Sequence, residues 1–118
     1  MELNVSSRSQ GGHAVVTVSG EIDLYTAPRL HSELTAVIAS AAPESRVVLD
    51  MSGVDFCDST GMNVLLSSLR ASREKDVEFA LSSPRPAVKK ILQVTGLDAV
   101  FTISGEQATV LGNTMPGK

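Results

Sequence analysis

Two apolar spacings alternate along the chain. Leu3 and Val5 alternate with Asn4 and Ser6, which predicts a short edge strand. Gln10-Gly11-Gly12 is a turn signal, because glycine takes positive φ at little cost. Ala14-Val15-Val16-Thr17-Val18 is rich in β-branched residues and predicts a second strand, antiparallel to the first. Gly20-Glu21-Ile22-Asp23 then reads as an acidic loop. From there the spacing becomes helical, with Leu30, Leu34, Val37 and Ile38 on one face. Thr26 is a candidate cap for this helix, Pro28 suits its first turn, and Ala41-Ala42-Pro43 ends it.

Val47-Val48-Leu49 is apolar on both faces, as a central strand of a parallel sheet must be. After a polar turn ending in Asp58-Ser59-Thr60-Gly61, residues Met62, Leu65, Leu66 and Leu69 form a second helical stripe. Arg70, Arg73 and Lys75 lie near its end, where the helix dipole favours cations. Val77, Phe79 and Leu81 alternate with Glu78 and Ala80, a further strand. A loop over 82–86 leads into a third helix carrying Val88, Ile91 and Leu92, with Gly96 placed to stop it. Val100-Phe101-Thr102-Ile103 predicts a last strand. Ser104 and Gln107 fit a capping box opening a short helix through Leu111. The order ββαβαβαβα predicts a single α/β domain over 1–111, with a mixed, mostly parallel β-sheet and right-handed crossover helices. Residues 112–118 are expected to form a flexible tail.

Composition narrows the function. The chain has 118 residues, enough for one core, and only 3% aromatics with no Trp. That core must therefore be built from Val, Leu, Ile and Ala. The net charge of −3 argues against nucleic acid as the main partner, because phosphate binding wants a basic face. Cys57 is the single cysteine, so an internal disulfide is impossible. One thiol with His13 and His31 far apart makes no zinc set, and neither a metal nor a cofactor is expected. The N-terminus lacks the basic and apolar regions of a signal peptide, and no apolar run approaches the roughly 18 residues of a membrane span. The expectation is a cytoplasmic protein with no membrane partner.

The chemistry gathers at Asp58-Ser59-Thr60-Gly61. Asp58 or Ser59 caps the second helix in this reading, since the first N–H groups of a helix lack internal acceptors. The stretch is then a structural cap or an anion site, and spacing alone leaves both open. A phosphate on Ser59 adds about −1.5 to −2 charges at neutral pH. With Asp55 and Asp58 close by, it would repel a partner docked over this acidic edge and leave the fold intact.

Catalysis by Ser59 is poorly supported. A nucleophilic serine needs a base and an orienting group, and neither His13 nor His31 lies in a loop at the carboxyl ends of the strands. The stretch lacks the Gly-x-Ser-x-Gly elbow of hydrolases. It matches the Asp-Thr/Ser-Gly of aspartic proteases only with an inserted residue. No glycine-rich phosphate loop is present. No catalytic residue is assigned. Cys57 reads as a small buried apolar residue in preference to a redox group. Met51 and Met62 are core residues or an adaptable rim of a docking face. Arg85, Lys89 and Lys90 read as a solvated face, with an anionic partner contact as the alternative.

The stretch from Leu49 to Gly61, Leu-Asp-Met-Ser-Gly-Val-Asp-Phe-Cys-Asp-Ser-Thr-Gly, resembles the signature of STAS domains, the anti-sigma-factor antagonists. Two further segments match in order. Gly20-Glu21-Ile22-Asp23 with Thr26-Ala27 is similar to the family's loop before its first helix. Pro86-Ala87-Val88 with Leu92 and Thr95-Gly96-Leu97 is similar to its third helix and following turn. The resemblance implies a phosphoprotein that works by partner switching in transcription regulation. Ser59 would be phosphorylated by an anti-sigma-factor serine kinase of the GHKL type. The unphosphorylated form would bind that kinase and free a sigma factor, phosphorylation would release it, and a PP2C-type phosphatase would reverse the mark. The docking surface would include Gly20, Glu21 and Asp23 together with Asp58, Thr60, Gly61 and Met62. Asp23 would be placed to meet a basic residue of the kinase. Thr60 replaces the family's commoner second serine. Two rivals remain: a STAS-type scaffold or transporter-associated module without a sigma-factor role, and an enzyme using Ser59 as nucleophile.

Overall fold

In the computed structural model, which describes residues 3–104, five strands form one sheet in the order β1-β2-β3-β4-β5. β1 (Leu3–Gln10) runs antiparallel to β2 (His13–Ile22). β2 is parallel to β3 (Arg46–Cys57), β3 to β4 (Glu78–Ser82), and β4 to β5 (Thr102–Ser104). The crossovers are α1 (Ala27–Ser40), α2 (Ser59–Glu74) and α3 (Pro86–Val94), the last followed by a 3-10 turn over Leu97–Ala99. The predicted α/β architecture with one antiparallel edge is therefore the one observed. The capping box with its helix through Leu111, and the tail over 112–118, lie outside the described residues.

Register explains the core. Val16, Leu49, Leu81 and Ile103 lie side by side across the sheet, as do Ala14, Val47 and Phe79 one pleat away. These rows share one face, because side chains alternate along a strand. They form one apolar cluster with Leu30, Leu34 and Ile38 of α1, Met62, Leu65 and Leu69 of α2, and Val88 and Leu92 of α3. Val15, Val48 and Ala80 form a row on the opposite face and are also fully buried. Arg29 donates from Nη1 to the Leu3 carbonyl at 2.7 Å, tying α1 to β1. Lys75, expected to serve its own helix end, donates instead to the Ala39 carbonyl near the end of α1 at 2.6 Å.

Three predictions at element ends need correction. β2 and β3 run on through segments read as loops, to Ile22 and Cys57. β3 carries two more residues than β2 over the paired stretch, with register breaks between Thr17 and Ser19 and between Gly20 and Glu21. Such bulges reset which side chain points inward. Met51, Val54 and Cys57, spaced by three, can thus all be buried on one strand. The third correction is at the last strand, which begins two residues later than predicted. Phe101 precedes it and packs edge-to-face on Phe79, with ring centroids 6.3 Å apart, while Val100 is exposed.

Candidate functional site

β4 pairs with β3 only as far as Asp50. Past that point β2 and β3 continue as a two-stranded arm, whose ends carry the loop over 23–26 and the start of α2. The arm brings together two segments separated by more than thirty positions in sequence. Asp58 N–H donates to the Ile22 carbonyl at 3.0 Å, locking the two exits side by side.

At the α2 start the cap is Asp58. Its extended backbone (φ −92°, ψ −172°) lets Oδ1 accept the Gly61 N–H at 3.0 Å. Its carbonyl accepts the Met62 N–H, also at 3.0 Å. Ser59 is the first helical residue and is exposed. Capping therefore rests on the aspartate alone, and the alternative that Ser59 caps the helix is set aside. The N–H groups of Ser59 and Thr60 sit in the first turn, where helix geometry provides no acceptor. Thr60 is half-buried.

Gly61 is buried for lack of room. A Cβ there would lie 2.6 Å from both Cys57 Sγ and Ile22 Cγ2. Met62, 5% exposed, packs in the core beneath the helix start, and Met51 is fully buried. Burial pushes the Cys57 thiol up to about 12, and the Asp58 charge adds to the effect. With its Sγ against the Asp58 carbonyl at 3.7 Å, Cys57 is a packing residue with almost no thiolate at neutral pH.

The loop opposite is built around Asp23. Its Oδ1 accepts from the N–H groups of Tyr25 (2.9 Å) and Thr26 (3.0 Å) and from the Thr26 hydroxyl (3.2 Å). Thr26 Oγ1 donates to the Glu21 carbonyl at 2.7 Å and accepts the Asp23 N–H at 2.9 Å. Thr26 occupies the cap position of α1, but its hydroxyl faces back into the loop and makes no cap bond. Desolvation raises the Asp23 carboxyl, yet the backbone N–H of Thr26, that of Tyr25 and the Thr26 hydroxyl together bring it below its ordinary value. Gly20 sits at the bulge with φ +108°, a conformation that favours glycine. Glu21 is half-buried.

The acidic edge is smaller than the sequence suggests. Arg85, exposed but engaged, bonds the Asp55 carboxylate through Nη1 and the Ser52 carbonyl through Nε at 2.7 Å. This clasp closes the side of the arm that β4 leaves open. Asp50 supports the same bend by accepting the Ser52 N–H at 3.0 Å. Neither Arg85 nor Leu24 and Tyr25, exposed between Asp23 and Thr26, was assigned to the site from sequence. Lys89 and Lys90 on α3 and His31 on α1 are exposed. No group of three or more His, Cys, Asp or Glu able to hold a metal occurs among the described residues. No helix among them is long and apolar enough to cross a membrane.

The family model described as STAS domain matches residues 4–109. The chain belongs to the STAS domain family. A relative named anti-sigma-B factor antagonist from Staphylococcus aureus is 28% identical over 104 residues, covering 88% of this chain and 94% of that protein. The crystal structure of an anti-sigma factor antagonist from Mycobacterium paratuberculosis is 31% identical, with a TM-score of 0.84, and the match covers 93% of this chain and 92% of that one. SpoIIAA, described as an anti-sigma factor antagonist, shares the fold. Its unphosphorylated form has a TM-score of 0.74 at 19% identity, covering 95% of this chain and all of that one. Its phosphorylated form has a TM-score of 0.70 at 16%, covering 92% and 96%.

Proposed function

We propose that this STAS protein is an anti-sigma-factor antagonist whose docking is switched at Ser59. The observation that carries the reading is the division of labour at the α2 start. Asp58 caps the helix, so the exposed Ser59 hydroxyl is not needed for the fold. The relatives named above as anti-sigma factor antagonists support an anti-sigma factor as the partner, and in this reading that anti-sigma factor is also a serine kinase of the GHKL type. The kinase transfers the γ-phosphoryl of ATP to Ser59 Oγ, whose proton passes to a base on the kinase. The product carries about −1.5 to −2 charges beside the Asp58 carboxylate. A partner closed over the α2 start would then bury the phosphate against the Asp58 carboxylate, a like-charge contact that costs several kcal/mol and releases it.

Each predicted residue takes a role in this reading. Glu21, Asp23, Asp58 and Thr60 supply the polar surface around Ser59. Gly20 shapes the bulge, and Gly61 and Met62 set the height of the helix start from below. A PP2C-type phosphatase returns the protein to its binding form. In this reading the protein acts by binding and not as an enzyme, and its two histidines, His13 on β2 and His31 on α1, take no part.

The test is direct. The protein is incubated with a candidate GHKL kinase and ATP, and the phosphate is located by mass spectrometry, with Ser59→Ala as control. Phosphate on Ser59 alone, and none on the variant, is the expected result. In calorimetry Ser59→Ala retains the kinase, Ser59→Asp binds more weakly, and the phosphorylated protein weakest of all. Label persisting on Ser59→Ala overturns the site.

A further inference from the structure

The Asp23 loop places two large apolar side chains in water. Leu24 is 62% exposed and Tyr25 83% exposed, at adjacent positions. Single exposed apolar residues are ordinary on protein surfaces. What separates these two is the rigidity beneath them. Asp23 Oδ1 holds the N–H groups of Tyr25 and Thr26, Thr26 Oγ1 ties back to the Glu21 carbonyl, and Ala27 N–H donates to the Asp23 carbonyl at 2.8 Å. The backbone that presents the side chains is thus already ordered, and a partner would lose little entropy in holding it. The loop also abuts the α2 start through the Asp58 to Ile22 bond, which places both side chains on the same end of the molecule as Ser59.

We infer that Leu24 and Tyr25 are the anchor residues of this protein's interface with the Ser59 kinase, seated together in an apolar socket edged by Lys or Arg side chains of that partner. The basic edge follows from charge. Glu21 and Asp23 flank the pair in the loop, and neither segment 21–28 nor segment 56–69 contains a Lys or Arg. Arg29, the next cation after the loop, is committed to the Leu3 carbonyl. Tyrosine suits the role, because a two-torsion aromatic buries a large area at low entropy cost and keeps a hydroxyl for the rim. The inference rests on the proposed kinase reading and adds to it the source of affinity. In this picture Ser59 switches the interface, and the Leu24–Tyr25 pair holds it.

The experiment measures binding of the purified GHKL kinase to the full chain by calorimetry, for the unaltered protein and for Leu24→Ser, Tyr25→Ser, Tyr25→Phe and Val94→Ser. Val94 is 76% exposed at the far end of α3 and serves as the control. Circular dichroism confirms that each variant is folded, as substitutions at exposed loop positions should be. Tyr25→Ser is expected to weaken binding about thirtyfold and Leu24→Ser about tenfold or more, with Tyr25→Phe and Val94→Ser within about threefold of the parent. Binding by the parent with both serine variants unchanged overturns the anchor assignment and leaves the kinase reading standing. A parent that neither binds the kinase nor is phosphorylated on Ser59 overturns both.

Discussion

Asp58 Oδ1 accepts the backbone N–H of Gly61 at 3.0 Å, and that bond spares Ser59 from structural duty at the start of α2. In the proposed function, fold and switch thereby reside on adjacent side chains. Removing the carboxylate should act on stability, whereas removing the hydroxyl should act on signalling alone. Asp58→Ala is expected to cost about 1 kcal/mol, the usual value of a lost N-cap, and Asp58→Asn much less. Ser59→Ala should stay within about 0.5 kcal/mol of the parent. Urea unfolding of the three variants checks this. A larger loss at Ser59 than at Asp58 would reverse the assignment.

Gly61 is required by space. Two fully buried neighbours, Ile22 and Cys57, occupy the volume its Cβ would need. Gly61→Ala is expected to destabilise by about 1–3 kcal/mol, the range for overpacking a filled core. Adding Cys57→Ala relieves one of the two contacts. The double variant should therefore lose less than the sum of the two single losses, a coupling readable by denaturant titration.

Arg85 holds the open side of the arm. The pair with Asp55 is exposed on both sides, so Arg85→Ala should lower global stability by no more than about 1 kcal/mol. Its effect should be local. Amide hydrogen exchange over 51–57 is expected to accelerate, with β4 and the second half of α2 unchanged. Uniform protection in the variant would mean that the bulged strand holds its shape without the clasp.

Asp23 has a pH signature. Its folded carboxyl titrates below the ordinary aspartate value, because the ionised form accepts the bonds that build the loop. A depressed folded value means that the contribution to stability is present above the unfolded pKa and disappears as pH falls through the folded one. The window lies below about pH 4, the unfolded aspartate range. Asp23→Asn should flatten the acid-side fall of stability in that window relative to the parent. Urea midpoints measured between pH 5 and pH 2.5 test the sign.

Much of this protein was legible from local pattern. β-branched runs, helical stripes and turn residues located five strands and three helices among the described residues, since each depends on side chains near in sequence. The Asp-Ser-Thr-Gly turn announced a helix start for the same reason. Pattern did not carry β3 through Met51, Val54 and Cys57, whose spacing of three matches no regular strand. Only pairing with β2 through two bulges makes those positions inward-facing. The room denied to a side chain at Gly61 was also invisible, because Ile22 lies on another strand. So was the commitment of Asp55 to Arg85, thirty residues away.

The sequence by itself determined the order of elements, the Val-Leu-Ile core and the presence of a hydroxyl beside a capping carboxylate, because these follow from short-range periodicity and composition. The tertiary structure decided which residue caps α2, how far the β2–β3 arm extends, and that the Asp23 loop stands beside Ser59. Those outcomes depend on register between strands and on hydrogen bonds that close over long stretches of chain. The same Asp58-Ser59 pair can be written in a sequence as one motif, but only the Gly61 N–H, by choosing the aspartate, leaves the serine open to a partner.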